Sequence, residues 1–213
     1  MANPDLGEDH VKEIQKKTDE AIDAQGWLHS GDKGCVDTRG MFKITGRYKE
    51  LLIGAGGENI APVPIEDNIK KLCPAISNVM MVGDKKPFNC MLVALKVQGA
   101  TGELPGGSDL DVEALALTSG DAKPVTTVQE AMDSSVFIKA ITDAIKGTNN
   151  DESVCPMNAS KVQKFTILPE DFSVSTDELT PTFKLKRSVV YSKYAAAIDA
   201  MYSSKAVYVQ YSA

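Results

Sequence analysis

The sequence predicts an α+β fold with a small mixed sheet and flanking helices, preceded by a helix and a β-hairpin. Some segments place apolar residues at helical spacing, others are short apolar runs typical of strands, and the two kinds alternate without a repeat period. The chain has 213 residues, of which 43% are hydrophobic and 24% are charged. This composition is ordinary for a folded domain with a buried core.

The first fifty residues carry the signals of one helix and one hairpin. Two strands are predicted at residues 33–36 and 41–45, separated by Asp-Thr-Arg-Gly, a composition typical of a tight turn. Before them, an amphipathic helix is predicted over about residues 8–24, with Gly26 beyond its end. Its apolar or small residues recur every three or four positions: Val11, Ile14, Thr18, Ala21 and Ile22.

The following stretch predicts a strand, a glycine loop and a helix. Residues 50–53 are predicted as a strand, and Gly-Ala-Gly-Gly at residues 54–57 as a loop. Pro64 favours the first turn of a helix, with Glu66 and Asp67 near its positive end. The apolar face of this helix would consist of Ile65, Ile69, Leu72 and Cys73.

Two nearly continuous apolar runs, residues 76–82 and 88–97, predict buried strands. The next segment, residues 98–128, is rich in Gly, Pro and Ser and carries five acidic side chains against Lys123 alone. That composition predicts an insertion on the surface.

The remainder predicts a helix, a strand and a final helix. Phe137 to Ile145 has helical periodicity, and residues 161–168 form a strand-like run. Ser188 is the predicted N-cap of the last helix. The buried face of that helix would consist of Val190, Tyr194, Ala197, Ile198 and Met201.

Composition argues against several classes of function. The net charge of −6 disfavours a broad nucleic-acid surface. No apolar stretch has the length of a membrane span, and the amino terminus lacks the apolar core of a secretory signal. The four cysteines are scattered without a C-x-x-C pair, and only two histidines occur, so no metal ligands are predicted. We expect a cytoplasmic protein with reduced thiols.

Asp32 and Arg47 lie at the two feet of the predicted hairpin. Counting outwards from the turn places Asp32 opposite Thr45, so Asp32 and Arg47 should be neighbours. A carboxylate can accept two hydroxyls and a guanidinium can clamp an oxyanion, which together suit a sugar phosphate. A surface ion pair without function explains the same spacing.

Two further segments could meet a ligand. Gly56 and Gly57 permit close approach of an extended ligand to the backbone, although the loop matches neither standard phosphate-binding motif, and a simple turn is the alternative. Lys184, Lys186 and Arg187 come just before the last helix, where the helix dipole disfavours cations. This run indicates either an anionic partner or a solvated basic face.

Four motifs occur in a family-specific order. They are residues 26–32 (GWLHSGD), 44–50 (ITGRYKE), 55–59 with 62–66 (AGGEN and PVPIE), and 179–187 (LTPTFKLKR). Together they resemble the adenylate-forming superfamily of acyl-CoA synthetases, luciferases and peptide-synthetase adenylation domains. The likeness is greatest to long-chain acyl-CoA synthetases of the bubblegum type, and it covers nearly the whole chain. Those enzymes also carry a long segment at the position of the predicted insertion.

The resemblance implies roles for individual residues. Asp32 would bind the ribose hydroxyls of ATP, Arg47 would contact the ribose and phosphate side, and Lys184 would be the catalytic lysine of adenylate formation. Lys49 aligns with the hinge around which the C-terminal domain rotates between two poses. In the second pose, the loop at Gly56 and Gly57 would line the channel for the pantetheine arm of CoA.

The resemblance also implies a division of the chain. Residues 1–48 would end a large adenylation domain, and residues 49–213 would form a mobile C-terminal lid. The phosphate-gripping loop and acyl tunnel belong upstream in this family, and Met-Ala-Asn-Pro at the start is typical of the middle of a longer chain. The implied partners are that missing N-terminal domain, ATP with Mg²⁺, CoA and a fatty acid. Alone, the chain would be inactive.

Two alternatives stay open at this point. The chain could be a binding or interaction module that kept the fold and lost catalysis, although the retention of Asp32, Arg47, Lys49 and Lys184 argues against it. It could also belong to an adenylating enzyme with another acceptor, such as a carrier-protein thiol. The parent would be cytoplasmic, and peripheral association with the cytosolic face of a membrane is compatible with the resemblance.

Overall fold

The computed structural model describes residues 8–212. The chain forms two compact units, Met1–Glu50 and Leu51–Ala213. The predicted boundary between residues 48 and 49 lies slightly earlier, and the assignment of the first unit to a larger domain stays a prediction. Within the described residues, no helix combines the length and apolarity that crossing a membrane requires.

The first unit contains one helix and one antiparallel hairpin: α1 (Glu8–Ala21), β1 (Asp32–Val36) and β2 (Phe42–Arg47). The turn forms because Asp37 Oδ1 accepts the N–H groups of Arg39 at 2.8 Å and Met41 at 2.9 Å. The predicted helix and hairpin are therefore confirmed. A 3₁₀ turn at Tyr48–Glu50 follows, so the strand predicted from residue 50 begins later.

The hairpin register differs from the prediction. Asp32 pairs with Arg47, whereas the sequence predicted Thr45 as its partner. Part of the shift comes from the turn, where the Asp37 N–H donates to the Met41 carbonyl and Val36 pairs with Phe42, one residue beyond the predicted register. The rest comes from a bulge between Lys33, which pairs with Gly46, and Gly34, which pairs with Ile44. Because a bulge places an extra residue in one strand, it moves the foot of the hairpin and aligns Asp32 with Arg47 directly.

A three-stranded mixed sheet organises the second unit: β5 (Ile76–Val82), β6 (Asn89–Leu95) and β7 (Val162–Ile167). The central strand, β6, is antiparallel to β5 and parallel to β7. Every residue of β6 is buried, as expected for a strand covered on both faces. The predicted strands and the mixed character of the sheet are confirmed.

Helices cover both faces of this sheet: α2 (Pro62–Leu72), α3 (Val112–Leu115), α4 (Val128–Asp133), α5 (Ser135–Asn150), α6 (Arg187–Lys193) and α7 (Ala195–Ser203). Met91 and Val93 of β6 pack in the cluster that contains α2 and α5. Cys90 and Leu92 pack in the second cluster, with α6 and α7. This alternation follows from the two-residue period of a strand.

A two-stranded ribbon, β3 (Leu52–Ile53) with β4 (Asn59–Ile60), precedes α2. The sequence did not predict β4, because two residues are too few to show a pattern. The predicted face of α2 is correct at Ile65, Ile69 and Cys73, which are buried, and wrong at Leu72, which is 48% exposed.

The segment at residues 98–128 is mostly exposed, as expected of a surface segment, but it is also anchored in the core. It contains α3, and both Leu110 and Ala114 are completely buried in the core of the unit. Asp111 caps α3, and Thr127 forms a capping box with Glu130 at the start of α4. A few apolar side chains therefore anchor a mostly polar segment, which composition alone did not reveal.

The predicted last helix consists of two helices, α6 and α7, which meet at Tyr194. Its predicted buried face is correct, since Val190, Ile198 and Met201 are buried. The predicted N-cap is wrong: α6 begins at Arg187, so Ser188 lies inside the first turn.

Candidate functional site

The hairpin foot brings Asp32 and Arg47 together. Arg47 Nε lies 3.5 Å from Asp32 Oδ1, and the two side chains are 55% and 34% exposed, respectively. The Asp32 N–H donates to Ser30 Oγ at 3.2 Å, and the Tyr48 N–H donates to the Gly31 carbonyl at 2.7 Å. These bonds fix the backbone of both feet and leave carboxylate acceptors and guanidinium donors available to a ligand.

Lys49 is the middle residue of the 3₁₀ turn Tyr48–Glu50 and is exposed. This turn closes the first unit, since the second begins at Leu51. The predicted hinge residue thus lies where the chain passes from one unit to the next.

The glycine loop is a tight turn between β3 and β4. The Gly57 N–H donates to the Gly54 carbonyl at 2.9 Å, and Gly57 has φ of +85°, a conformation that favours glycine. A Cβ at Gly56 would lie 2.5 Å from Glu58 Oε1. The Glu58 carboxylate therefore occupies the space over Gly56, a feature that sequence reasoning missed although Glu58 directly follows the glycines.

A second turn, which contains Lys85 and Lys86, is hydrogen-bonded to β3 and to this loop. The Lys85 N–H donates to the Ile53 carbonyl at 2.7 Å, and the Ala55 N–H donates to the Lys86 carbonyl at 3.2 Å. Lys86 Nζ also lies 4.8 Å from the centroid of the Tyr202 ring, at the distance of a cation–π contact. The glycine loop is thereby attached to the sheet rather than free at its edge.

Lys184 lies in a tight loop closed by Thr180. The Thr180 N–H donates to the Lys184 carbonyl at 2.8 Å, and the Lys184 N–H donates to Thr180 Oγ1 at 3.0 Å. The intervening Phe183 has φ of +58°, which is rare for an aromatic residue. The backbone of Lys184 is therefore held on both sides while its side chain is exposed.

The structure resolves the two interpretations of the cationic run. Lys186 forms an ion pair with Asp177, and Arg187 forms one with Glu66. Protein carboxylates neutralise these two cations, so their charges require neither an external anionic partner nor full solvation. Within residues 8–212, no carboxylate forms an ion pair with Lys184.

The second unit also contains buried carboxylates that the sequence did not predict. Glu178 is completely buried and pairs with Lys193. Asp171 accepts from Ser77 Oγ at 2.5 Å and from Asn78 Nδ2 at 2.8 Å. Burial raises the pKa of the Asp171 carboxyl, and these hydrogen bonds only partly oppose that effect.

Apart from the predicted hinge residue Lys49, the predicted site residues form three groups. Asp32 and Arg47 are adjacent in the first unit, whereas Gly56 and Gly57 share one loop of the second unit and Lys184 lies in another. Among the described residues, no group of three or more His, Cys, Asp and Glu is placed to hold a metal ion.

Comparison with known proteins identifies relatives of the chain. Residues 49–105 match the AMP-binding enzyme C-terminal domain. The long-chain-fatty-acid-CoA ligase ACSBG2 of Gallus gallus is 47% identical over 89% of this chain and 25% of its own length. The human ligase ACSBG1 is 42% identical over 90% of this chain and 26% of its own length. The chain thus spans about a quarter of the curated relatives it matches.

Solved structures agree on the fold. The adenylation domain of a Mycobacterium chelonae carboxylate reductase has a TM-score of 0.65 at 17% identity, with 89% of this chain and 25% of that chain covered. The corresponding Segniliparus rugosus domain, solved with AMP and a carboxylic acid, has a TM-score of 0.63 at 18% identity, with 88% and 25% covered. Residues 49–105 carry the C-terminal domain of the AMP-binding enzymes, and the chain is homologous over 89–90% of its length to the long-chain-fatty-acid-CoA ligases of the bubblegum type.

Proposed function

We propose that this chain is the C-terminal part of an ATP-dependent long-chain fatty acid-CoA ligase. The observation that carries the proposal is the exposed Lys184, fixed by its backbone in a loop whose other cations, Lys186 and Arg187, already pair with carboxylates. Such a lysine is suited to an anionic group of a substrate. The names of relatives that are 42–47% identical support the same reaction class.

The proposed reaction has two steps. A fatty acid carboxylate attacks the α-phosphorus of ATP, which forms an acyl-phosphate bond and releases pyrophosphate. The CoA thiol then loses its proton and attacks the acyl carbon, which forms the thioester and releases AMP. The energy of the phosphoanhydride is thereby used to activate a carboxylate for transfer to sulfur.

Asp32 and Arg47 are suited to hold the nucleotide. Their 3.5 Å contact is longer than a good charge-assisted hydrogen bond, so it leaves both groups with bonding capacity. We assign the ribose hydroxyls of ATP to the Asp32 carboxylate and the phosphate side of the ribose to the Arg47 guanidinium. The bulge that aligns these two residues sets the spacing of this clamp.

Lys184 would act on the reacting phosphate. Negative charge redistributes over the phosphate and carboxylate oxygens as adenylation proceeds, and a positioned ammonium stabilises it without moving a proton. The two bonds between Lys184 and Thr180 hold the backbone from which the ammonium extends. Positioning of this kind lowers the barrier because the charge needs no reorganisation during the step.

The glycine loop would serve the second step. We assign the channel for the CoA pantetheine arm to Gly56 and Gly57, where absent side chains let a narrow ligand approach the backbone. The Glu58 carboxylate lies over Gly56 and would have to turn aside or border the channel. Rotation about Lys49 would exchange the lysine loop for this loop between the two steps.

Mg²⁺ would enter with ATP. The ion would be coordinated by phosphate oxygens and would belong to the substrate. The remaining partners of the proposal are a large N-terminal domain, CoA and a fatty acid. We also propose that the parent is cytoplasmic, with peripheral association at the cytosolic face of a membrane; the four free cysteines fit a reducing compartment.

The two half-reactions test this function. The full-length protein can be obtained from the native gene or by replacing the homologous quarter of the Gallus gallus relative with this chain. Lys184→Ala should lower pyrophosphate exchange by about a hundred- to thousandfold, the usual loss for one transition-state contact of about 2.7–4 kcal/mol. Thioester formation from supplied acyl-adenylate should survive.

The matched control is Lys186→Ala, which removes a nearby cation already paired with Asp177. It should leave both half-reactions close to wild type. Near-normal pyrophosphate exchange in Lys184→Ala, or a larger loss in Lys186→Ala, contradicts the assignment of Lys184. Acyl-CoA production by residues 1–213 alone contradicts the assignment of this chain as an incomplete part.

A further inference from the structure

The segment at residues 98–128 reaches the lysine loop through one close contact. A Cβ at Gly102 would lie 2.9 Å from both Cδ1 and Cε1 of Phe183, closer than carbon atoms normally approach. The edge of the Phe183 ring therefore rests on the backbone of Gly102. Phe183 directly precedes Lys184.

Backbone hydrogen bonds tie the same segment to the base of the lysine loop. The Val174 N–H donates to the Gly102 carbonyl at 2.8 Å, and the Ser175 N–H donates to the Glu103 carbonyl at 3.0 Å. Leu179 and Leu185 then pair as a short antiparallel bridge that brackets the loop. Residues 102–103 consequently support the loop from the side on which the Phe183 ring lies.

The contact with Gly102 matters because Phe183 has an unfavourable backbone conformation. Its φ of +58° is disfavoured for an aromatic residue and persists only where the surroundings impose it. This φ determines the direction of the backbone at Lys184, the next residue. The ring is 53% exposed, so it adds little to the core, and its contact with Gly102 is not explained by burial alone.

We propose that Gly102 and Phe183 form a seat through which the inserted segment positions Lys184 for adenylation. Phe183 acts through Lys184 and touches no reacting atom, so it is a positioning residue. This inference rests on the proposed function, because only that function gives Lys184 a catalytic role in adenylation. The inserted segment then has a specific task in the first half-reaction, beyond its contribution to the fold.

Gly102→Ala and Gly99→Ala provide a matched test in the full-length protein. Both glycines have positive φ, +80° and +77°, so alanine strains the backbone equally at the two positions. Only at Gly102 does the added Cβ strike the Phe183 ring; at Gly99 its nearest neighbour is Gly106 Cα at 3.9 Å. The difference between the variants therefore isolates displacement of the ring.

We expect Gly102→Ala to lower the kcat of pyrophosphate exchange about ten- to a hundredfold, since a misplacement of about 1 Å at a reacting group has effects of that order. Gly99→Ala should stay near wild type. Thioester formation from supplied acyl-adenylate should be unchanged in both. Phe183→Ala should reproduce the loss, and Phe183→Tyr, which keeps the ring edge, should restore activity.

Equal exchange rates in Gly102→Ala and Gly99→Ala overturn the seat, as does a parallel fall of both half-reactions in Gly102→Ala. Lys184→Ala, measured alongside, separates the two hypotheses. If Lys184→Ala abolishes exchange while Gly102→Ala does not, the seat is wrong and the proposed function stands. If Lys184→Ala exchanges normally, the proposed role of Lys184 is wrong and the seat has nothing to position.

Discussion

The Arg187 guanidinium donates one hydrogen bond to each carboxylate oxygen of Glu66, both at 2.7 Å. Glu66 Oε1 also accepts the Met81 N–H at 2.7 Å. One carboxylate therefore joins α2, strand β5 and the start of α6. Because α6 begins immediately after the lysine loop, this bidentate pair fixes the C-terminal end of that loop to the sheet.

Removal of one member of this pair should destabilise the second unit strongly. The Glu66 side chain is 8% exposed, so Arg187→Met leaves a buried carboxylate without its cation. Such changes typically cost about 3–5 kcal/mol in free energy of unfolding. Urea denaturation of the chain measures this loss.

Lys186→Met is the matched control for Arg187→Met, because the Asp177 side chain is 68% exposed and its pair with Lys186 is screened by water. Its cost should be at most about 1 kcal/mol. The double variant Glu66→Gln, Arg187→Met should lose less than the sum of the single changes, since the amide still accepts from Met81 and no charge is buried. Equal losses of unfolding free energy in Arg187→Met and Lys186→Met contradict the structural role of the Glu66–Arg187 pair.

Asp171 should give the second unit a distinctive dependence on pH. Burial raises the pKa of this carboxyl above its ordinary value of 3.8, so the folded chain holds the proton more tightly than the unfolded chain. The contribution to stability is full at low pH and is lost as pH rises through the raised pKa. The free energy of unfolding of wild type minus that of Asp171→Asn should therefore fall with rising pH.

Glu130→Gln is a control of opposite sign. Hydrogen bonds from Thr126 lower the pKa of the Glu130 carboxyl, so its contribution is present at neutral pH and is lost as pH falls. The same difference in unfolding free energy should rise with pH for this residue. Urea titrations at several pH values measure both slopes, and a flat or rising slope for Asp171→Asn contradicts the raised pKa of the Asp171 carboxyl.

The four cysteines should differ sharply in reactivity. Cys35 is exposed, whereas Cys73, Cys90 and Cys155 are buried. Burial also raises the pKa of the Cys90 thiol to about 11, which keeps it protonated and unreactive at neutral pH. A thiol reagent should label one cysteine quickly in the native chain, Cys35→Ser should abolish this phase, and denaturant should expose the others. Two fast thiols in the native chain contradict the packing of the core.

Much of this fold could be predicted because its signals are local. The strands β5 and β6 are nearly continuous apolar runs, and the buried face of α5 follows the helical period at Phe137, Ile141 and Ile145. The hairpin was recognisable from its turn residues. Its register was not, because the turn pairs Asp37 with Met41 rather than Gly40, and the bulge beside Gly34 depends on pairing between strands and leaves no mark in either strand alone.

The features that the sequence did not predict depend on contacts between distant residues. Glu66 and Arg187 are 121 positions apart, so neither could be identified as the partner of the other. Leu110 and Ala114 lie among other apolar residues such as Val112 and Leu117, and only the structure shows which of them are buried in the core. The family motif pointed to Lys184. The contacts of its loop with Gly102 and Thr180 were visible only in the structure.

Lys49 provides the last prediction, since it lies in the 3₁₀ turn at the end of the first unit. Proline fixes φ near −65°, which falls within the range of a 3₁₀ helix. In the full-length protein, Lys49→Pro should therefore hold the present turn and oppose any rotation that needs another φ at this residue. Under the proposed function, pyrophosphate exchange should persist and thioester formation from supplied acyl-adenylate should fall, because only the second step would require the rotated pose.

Lys49→Ala separates the backbone effect from loss of the side chain. It removes the ammonium but leaves φ free, so both half-reactions should stay near wild type if rotation is what matters. Stopped-flow measurement of thioester formation and equilibrium measurement of pyrophosphate exchange distinguish these cases. An equal loss of both half-reactions in Lys49→Pro, or an equal effect of alanine and proline, contradicts the hinge. If the hinge is correct, Lys49→Pro and Lys184→Ala should have opposite defects. Proline at residue 49 retains the first pose and loses the second, so thioester formation falls. Alanine at residue 184 removes a group that acts only in the first pose, so pyrophosphate exchange falls.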